Sequence, residues 1–169
     1  GLLYIAAVLK RRGDDVRVVD MDIDALDEAG LIGKALAFSP QVIGFTAVTP
    51  TVNNAIALAK ALKEKIGAVF ILGGIHATID TENIAKDGVF DFLVAGEGEA
   101  TTLELIAAIE KERKDFGGIN GIAFLKDGVV VMTPERELIA DMDTLPDPAY
   151  ELLSDISGYM PPDTLSKPV

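Results

Sequence analysis

The residues that could hold a ligand or move a proton stand at the ends of apolar runs. Gly73 and Gly74 follow the run Ala68-Val-Phe-Ile-Leu72. A strand of that composition reads as buried on both faces, the middle of a parallel sheet, and two glycines at its carboxyl end leave bare backbone where such sheets bind ligands. His76 is the sole imidazole of the chain, a candidate metal ligand or proton donor. A lone histidine beside a site is more often a satisfied group than a metal ligand, and a structural or ligand-contacting role is expected here. Thr46-Ala-Val-Thr49 ends a second apolar run. Its hydroxyls can bond a ligand, although a strand-end threonine usually satisfies nearby backbone, and Val48 reads equally well as core. Glu97 and Glu99 are paired carboxylates. With no companion base or nucleophile they read as acids complementing a helix that begins near Gly98 rather than as hydrolytic groups. The cluster Asp20, Asp22, Asp24 and Asp27 lacks the glycine and terminal glutamate of a calcium loop and reads as a solvated acidic loop.

Composition narrows the chemistry. With no cysteine and one histidine, this chain can build neither a thiolate zinc site, an iron–sulfur cluster nor a multi-histidine centre, so metal or redox chemistry has to come from outside it. The net charge of −12 opposes a phosphate backbone or an anionic bilayer, which argues against nucleic acid and membrane partners. No apolar run is long enough to span a bilayer and no basic, apolar leader is present, so the expected location is the cytoplasm. At 169 residues, 49% of them hydrophobic, one core suffices without disulfides.

The elements that position these residues follow from periodicity and punctuation. Leu2, Leu3, Ile5, Ala6, Val8 and Leu9, with Arg11-Arg-Gly13 behind them, mark a helix from residue 1 to a glycine stop. Val16 to Asp20 reads as a short strand, and a helix runs from about Ala25 to Phe38, closed by Ser39-Pro40. Val42 to Ala47 is a buried strand. Thr49-Pro-Thr51 caps a helix that turns Ala55, Ile56, Leu58, Ala59, Leu62 and Ile66 inward. After the central strand, a short helix carrying Ile79 and Ile84 ends at Asp87-Gly88, Phe90 to Ala95 is another strand, and Gly96-Glu-Gly-Glu99 opens a helix to about Lys114. Strands alternating with helices imply parallel pairing through right-handed crossovers, an α/β doubly wound sheet with helices on both faces. Lys126-Asp-Gly128, between Gly121-Ile-Ala-Phe-Leu125 and Val129-Val-Val-Met132, predicts an appended antiparallel hairpin. Prolines 134, 146, 148, 161, 162 and 168 then mark an extended linker.

A doubly wound sheet opens with a centrally placed strand, whereas the first element here is the helix that should follow one. The sequence is therefore expected to begin after that strand, and an open central edge would invite pairing with another molecule.

Five segments carry a family resemblance: Gly1-Leu-Leu-Tyr-Ile-Ala-Ala-Val-Leu9, Ile43-Gly-Phe-Thr-Ala-Val-Thr-Pro-Thr51, Leu72-Gly-Gly-Ile-His-Ala-Thr78, Val94-Ala-Gly-Glu-Gly-Glu99 and Leu138-Ile-Ala-Asp-Met-Asp-Thr-Leu-Pro-Asp-Pro-Ala149. They resemble, nearly end to end, the amino-terminal cobalamin-binding domain of cobalamin-dependent radical S-adenosylmethionine enzymes. The resemblance implies a flavodoxin-like (Rossmann-like) sheet with cobalamin at its carboxyl edge. Of three cobalamin motifs, Ser-x-Leu is matched by Thr46-Ala-Val48 and Gly-Gly by Gly73-Gly74. The third, Asp-x-His-x-x-Gly, has its place before residue 1, and the acidic loop from Asp20 to Asp27 holds no histidine to replace it. On this resemblance the Thr46 hydroxyl bonds the buried base of the nucleotide tail, and the glycines let that tail lie where a Cβ would clash.

The cofactor-binding positions so implied are Thr46, Val48, Thr49, Gly73, Gly74, His76, Gly96 and Glu97, with no catalytic residue and no metal ligand. His76 follows the wrong strand to be the cobalt-ligating histidine. The implied division is residues 1–118 for cobalamin binding, 119–133 for the hairpin and 134–169 for a linker. That linker would lead to a radical domain in the same protein, carrying S-adenosylmethionine and a 4Fe–4S cluster, and the whole would most commonly be a methyltransferase. Two other readings stay open: a flavodoxin-like nucleotide-binding module, and a cofactor-free docking domain, which would show Thr46 and Gly74 covered by neighbouring side chains.

Overall fold

A strand that is apolar at every position needs a neighbour on each edge and a helical layer on each face, and the run before Gly73 has both. The computed structural model describes residues 1–159. Five strands, β1 (Val42–Thr46), β2 (Val69–Gly73), β3 (Phe92–Val94), β4 (Ile122–Lys126) and β5 (Val129–Met132), lie side by side in that order. β1, β2 and β3 run parallel, with Thr46 opposite Gly73 and Leu72 opposite Leu93. The hairpin is added to the same sheet, β4 antiparallel to β3 and β5 antiparallel to β4. Asp127 and Gly128 form its turn at φ 51° and 78°, the left-handed pair whose twist matches the flanking strands.

Six helices flank the sheet: α1 (Leu2–Arg12), α2 (Glu28–Phe38), α3 (Val52–Lys63), α4 (Ile75–Ile79), α5 (Thr81–Lys86) and α6 (Gly98–Glu110). Alternation along β2 sorts them into two layers. Phe70 and Leu72, with Leu93 and Ala123, pack on Ala55, Ala59 and Leu62 of α3 and on Ile84 and Ala85 of α5. Ile71 points the other way and, with Phe92, Val94 and Ile122, packs on Leu105 and Ala108 of α6. Phe70, Leu72 and Leu62 are essentially fully buried, and each such side chain contributes about 1.5–3 kcal/mol.

Local chemistry sets where helices start. The Asp27 carboxylate accepts the Gly30 N–H at 2.8 Å, so α2 begins at Glu28 rather than at Ala25. The residues before it turn on Asp20, whose Oδ1 accepts the N–H groups of Asp22 and Ile23. The single helix expected after Gly74 is divided at Asp80, where φ −129° and ψ 34° leave the helical region between α4 and α5.

The expected strand from Val16 to Asp20 is not formed. Among the described residues no strand lies beside this segment, and none lies on the outer edge of β1. In a doubly wound sheet the strand that joins the two runs between them, and without it neither ladder can close. Val16 and Val18 pack instead on Ala6 and Ala7 of α1 and on Ala149.

The segment after Thr133 lies along α6 and α1, with three short 3-10 turns, Met142–Thr144, Tyr150–Leu152 and Ser157–Tyr159. Its fastenings are spaced along its length. Gly121 N donates to Pro134 O at 2.8 Å, Ala149 N to Leu3 O at 3.2 Å, and the Tyr159 hydroxyl to Asp20 Oδ2 at 2.6 Å. Lys10 pairs with Glu151, and the Ser154 hydroxyl donates to Asp24. The prolines at 161, 162 and 168 lie outside the described residues.

Candidate functional site

Because β1, β2 and β3 are parallel and in register, their carboxyl ends share one edge of the sheet. The loops leaving that edge are stitched to each other: Ala47 N donates to Gly73 O at 3.2 Å, and His76 N donates to Ala47 O at 3.2 Å. Thr46, Val48, Thr49 and Gly74 are exposed along it, while Ala47 between them is buried. Val48, Ile75 and Ile79 are exposed by 49%, 58% and 64%, an unusual placement for three large aliphatics beside bare backbone.

The two glycines do different things. Gly74 has φ +94° and ψ 179°, a region that only glycine enters at low cost, and a Cβ there would lie 2.7 Å from Thr46 Oγ1 and 2.8 Å from Ala47 O. The close approach of the β1 loop therefore demands glycine at 74. At Gly73 the nearest contact of an added Cβ would be Val94 O at 3.8 Å, ordinary van der Waals contact. Its missing side chain keeps a face of the strand end clear.

His76 is half-buried and engaged with the chain. Its Nδ1 lies 3.1 Å from Thr49 Oγ1, and its Nε2 lies 4.0 Å from Asp80 Oδ2. It lines a cavity of about 210 Å³ with Val52, Asn53 and Asp80. Thr78 ties the end of the third strand to the glycine pair: its Oγ1 donates to Gly74 O at 3.3 Å and accepts the Gly96 N–H at 3.0 Å, with Gly96 at φ +75°. Glu97 directs one carboxylate oxygen at the segment after the hairpin, accepting Ile139 N–H at 2.6 Å.

The structure thus brings Thr46, Val48, Thr49, Gly73, Gly74, His76 and Gly96 to one edge and joins Glu97 to it through the following segment. Ile75, Thr78 and Ile79 were not anticipated. Two isoleucines four apart read as a core stripe, yet both are exposed on α4. The acidic cluster lies elsewhere, and its Asp20, Asp24 and Asp27 are engaged by protein partners. Asp24 takes the Ser154 hydroxyl and Lys34, which hold its carboxyl below the usual range. Among the described residues no three His, Asp or Glu side chains are grouped to hold a metal ion, and no helix is long and apolar enough to cross a membrane. A groove of about 440 Å³, walled by Phe90, Phe92, Phe116 and Phe124, opens at the opposite edge of the sheet.

A family model described as the B12 binding domain matches residues 1–106. The chain belongs to the B12-binding domain family. This domain type binds cobalamin, and the edge has room for a ligand: Gly73 carries no side chain there, and Val48, Ile75 and Ile79 are exposed. This B12-binding domain is 36% identical over 158 residues to the protein named uncharacterized methyltransferase PH0819 of Pyrococcus horikoshii, a match covering 90% of this chain and 33% of that protein. It is 37% identical over 150 residues to the anaerobic magnesium-protoporphyrin IX monomethyl ester cyclase of Rubrivivax gelatinosus, covering 84% of this chain and 27% of the cyclase. Its fold superposes with a TM-score of 0.81 on the cobalamin-dependent S-adenosylmethionine radical enzyme OxsB with aqua-cobalamin and S-adenosylmethionine bound, at 19% identity over 94% of this chain and 22% of that one. The TM-score is 0.71 with the radical S-adenosylmethionine methyltransferase TsrM of Kitasatospora setae with cobalamin and an iron–sulfur cluster bound, at 22% identity over 89% of this chain and 28% of that one. At these identities the two structures show the shared fold. The B12-binding domain spans a third or less of the length of the relatives named here.

Proposed function

We propose that this domain holds cobalamin along the edge formed by Thr46, Val48, Thr49, Gly73, Gly74 and Gly96, and presents it to a radical S-adenosylmethionine domain of the same protein. What carries this is the uncovered state of Thr46 and Gly74 at the joint end of the parallel strands. A domain that had kept the fold and lost the ligand would have neighbouring side chains over them. Gly73 leaves room for the nucleotide tail, and the exposed aliphatics of α4 and Val48 give the macrocycle an apolar rim. His76 has a structural part, engaging the Thr49 hydroxyl.

Bound methylcobalamin supplies a transferable methyl group, and this chain's residues bind and orient it without taking a catalytic step. Residues 134–169 serve as the linker from the cobalamin-binding part and hairpin (1–118 and 119–133) to the radical domain, which carries S-adenosylmethionine and a 4Fe–4S cluster. The names of the relatives support methyl transfer as the reaction of the whole protein, with ring closure as the alternative that the cyclase represents. The net charge of −12 disfavours nucleic acid and anionic membranes as partners.

Titration of the intact protein with hydroxocobalamin, followed by visible absorption, tests the assignment. One-to-one uptake is expected, lost in Gly73→Leu while the thermal transition survives. A folded wild-type protein that takes up no corrinoid would overturn it.

A further inference from the structure

The segment after the hairpin runs along α6 on two fastenings, the second beside Gly96 at the carboxyl end of β3. At the first, the Arg136 guanidinium reaches Glu104 through two bonds of 3.1 and 2.6 Å, and its Nε donates to Thr101 Oγ1 at 2.7 Å. That threonine has no exposed surface and also donates to Asn120 O, so this fastening is anchored in the interior of the domain. At the second, Ile139 N–H donates to Glu97 Oε2 at 2.6 Å. Glu97 stands between Gly96, whose N–H is held by Thr78 of the ligand edge, and the first turn of α6. Between the two fastenings the chain holds Leu138 at 74% exposure, the highest of any large apolar side chain among the described residues.

Resting on the functional assignment above, we infer that Glu97 is a positioning residue for the cofactor edge. By clamping Ile139 it fixes Leu138 as a side wall of that edge, and so couples occupancy of the edge to the order of residues 137–141. A carboxylate accepting a backbone N–H is a charge-assisted bond, and Glu97 makes it from the amino end of α6, where negative charge is favoured. Losing the bond frees the segment on one side and releases the wall. A ligand resting on Leu138 then binds more weakly, and by reciprocity a bound ligand slows the release of Ile139 N–H. Glutamine offers the same acceptor oxygen and alanine offers none.

The test compares the intact wild-type protein with Glu97→Gln, Glu97→Ala and Leu138→Asp, using hydroxocobalamin as the probe and amide hydrogen exchange over residues 137–141 as a second readout. Glu97→Ala is expected to bind about tenfold more weakly and to exchange faster at Ile139, the loss of one charged hydrogen bond. Glu97→Gln stays close to wild type in both. Leu138→Asp binds more weakly with Ile139 protection and melting temperature retained, which separates the wall from the clamp. In the wild type, hydroxocobalamin slows exchange over 137–141. Equal affinity of Glu97→Ala and wild type, or exchange indifferent to the corrinoid, overturns the inference. If the wild type takes up no corrinoid, the functional assignment falls and the coupling with it, while faster Ile139 exchange in Glu97→Ala still shows that the clamp exists.

Discussion

Gly74 and Thr46 meet so closely that a Cβ on the glycine would stand 2.7 Å from the threonine Oγ1. The glycine also adopts φ +94°, so any other residue would be strained even with space around it. Gly74→Ala should therefore lower the unfolding free energy by about 1–3 kcal/mol. Gly73→Ala, whose Cβ would meet only ordinary contacts, should leave the urea midpoint nearly unchanged. Equal losses at the two positions would show that they are not distinguished by packing.

Phe70 fills the layer under α3, fully buried and stacked on Phe45 with ring centroids 6.3 Å apart. Truncation to alanine leaves a cavity that a layer between sheet and helix cannot close, and should cost about 3–5 kcal/mol in denaturant unfolding. Ile71→Val, on the opposite face of the same strand, should cost about 0.5–1.5 kcal/mol.

Asp91 continues the β2–β3 ladder with a side chain. Its Oδ2 accepts the Phe70 N–H at 2.7 Å and its Oδ1 pairs with Lys63 at 3.0 Å. Asp91→Ala strands a strand N–H and should destabilise by about 1–3 kcal/mol. Asp91→Asn keeps an acceptor and should recover most of that. If asparagine were as damaging as alanine, the ion pair with Lys63 rather than the backbone bond would be the larger part.

The Tyr159 phenol is pushed up to about 12 by its hydrogen bond to the Asp20 carboxylate. A folded-state value above the ordinary value of about 10 means that the neutral phenol is the favoured form in the folded protein. Its contribution is complete below pH ~10 and is lost as pH rises towards 12. Alkaline unfolding curves should show this loss for the wild type, and Tyr159→Phe should remove that part of the pH dependence. Identical curves would mean the contact does not persist in solution.

The layers and the parallel ladder were legible in the sequence because Phe70 to Leu72 and Phe92 to Val94 are apolar at every position, and the Asp-Gly turn at 127–128 named its hairpin directly. The strand at Val16 to Asp20 was misread because its β-branched residues report only local preference, while a strand exists only where a partner supplies hydrogen bonds. The site was half legible. Glycines 73 and 74 announced an edge, yet which of them is needed for packing depends on a loop that approaches from Thr46, far away in sequence. Glu97 read as a helix-start acid, and its bond to Ile139 could not be seen without knowing where the following segment returns.

That return has a directional cause. Each strand added antiparallel reverses the heading of the chain, and after β3 the sheet gains two such strands, an even number. The heading is therefore restored, and the chain leaves Met132 at the end of the sheet where Thr46 and Gly73 stand. A single added strand would have delivered the chain to the far end, beside Lys126 and the phenylalanine groove, too far round the sheet for Ile139 to reach Glu97. Lengthening β4 and β5 together preserves the destination. Deleting either one sends the downstream chain to the wrong pole of the domain.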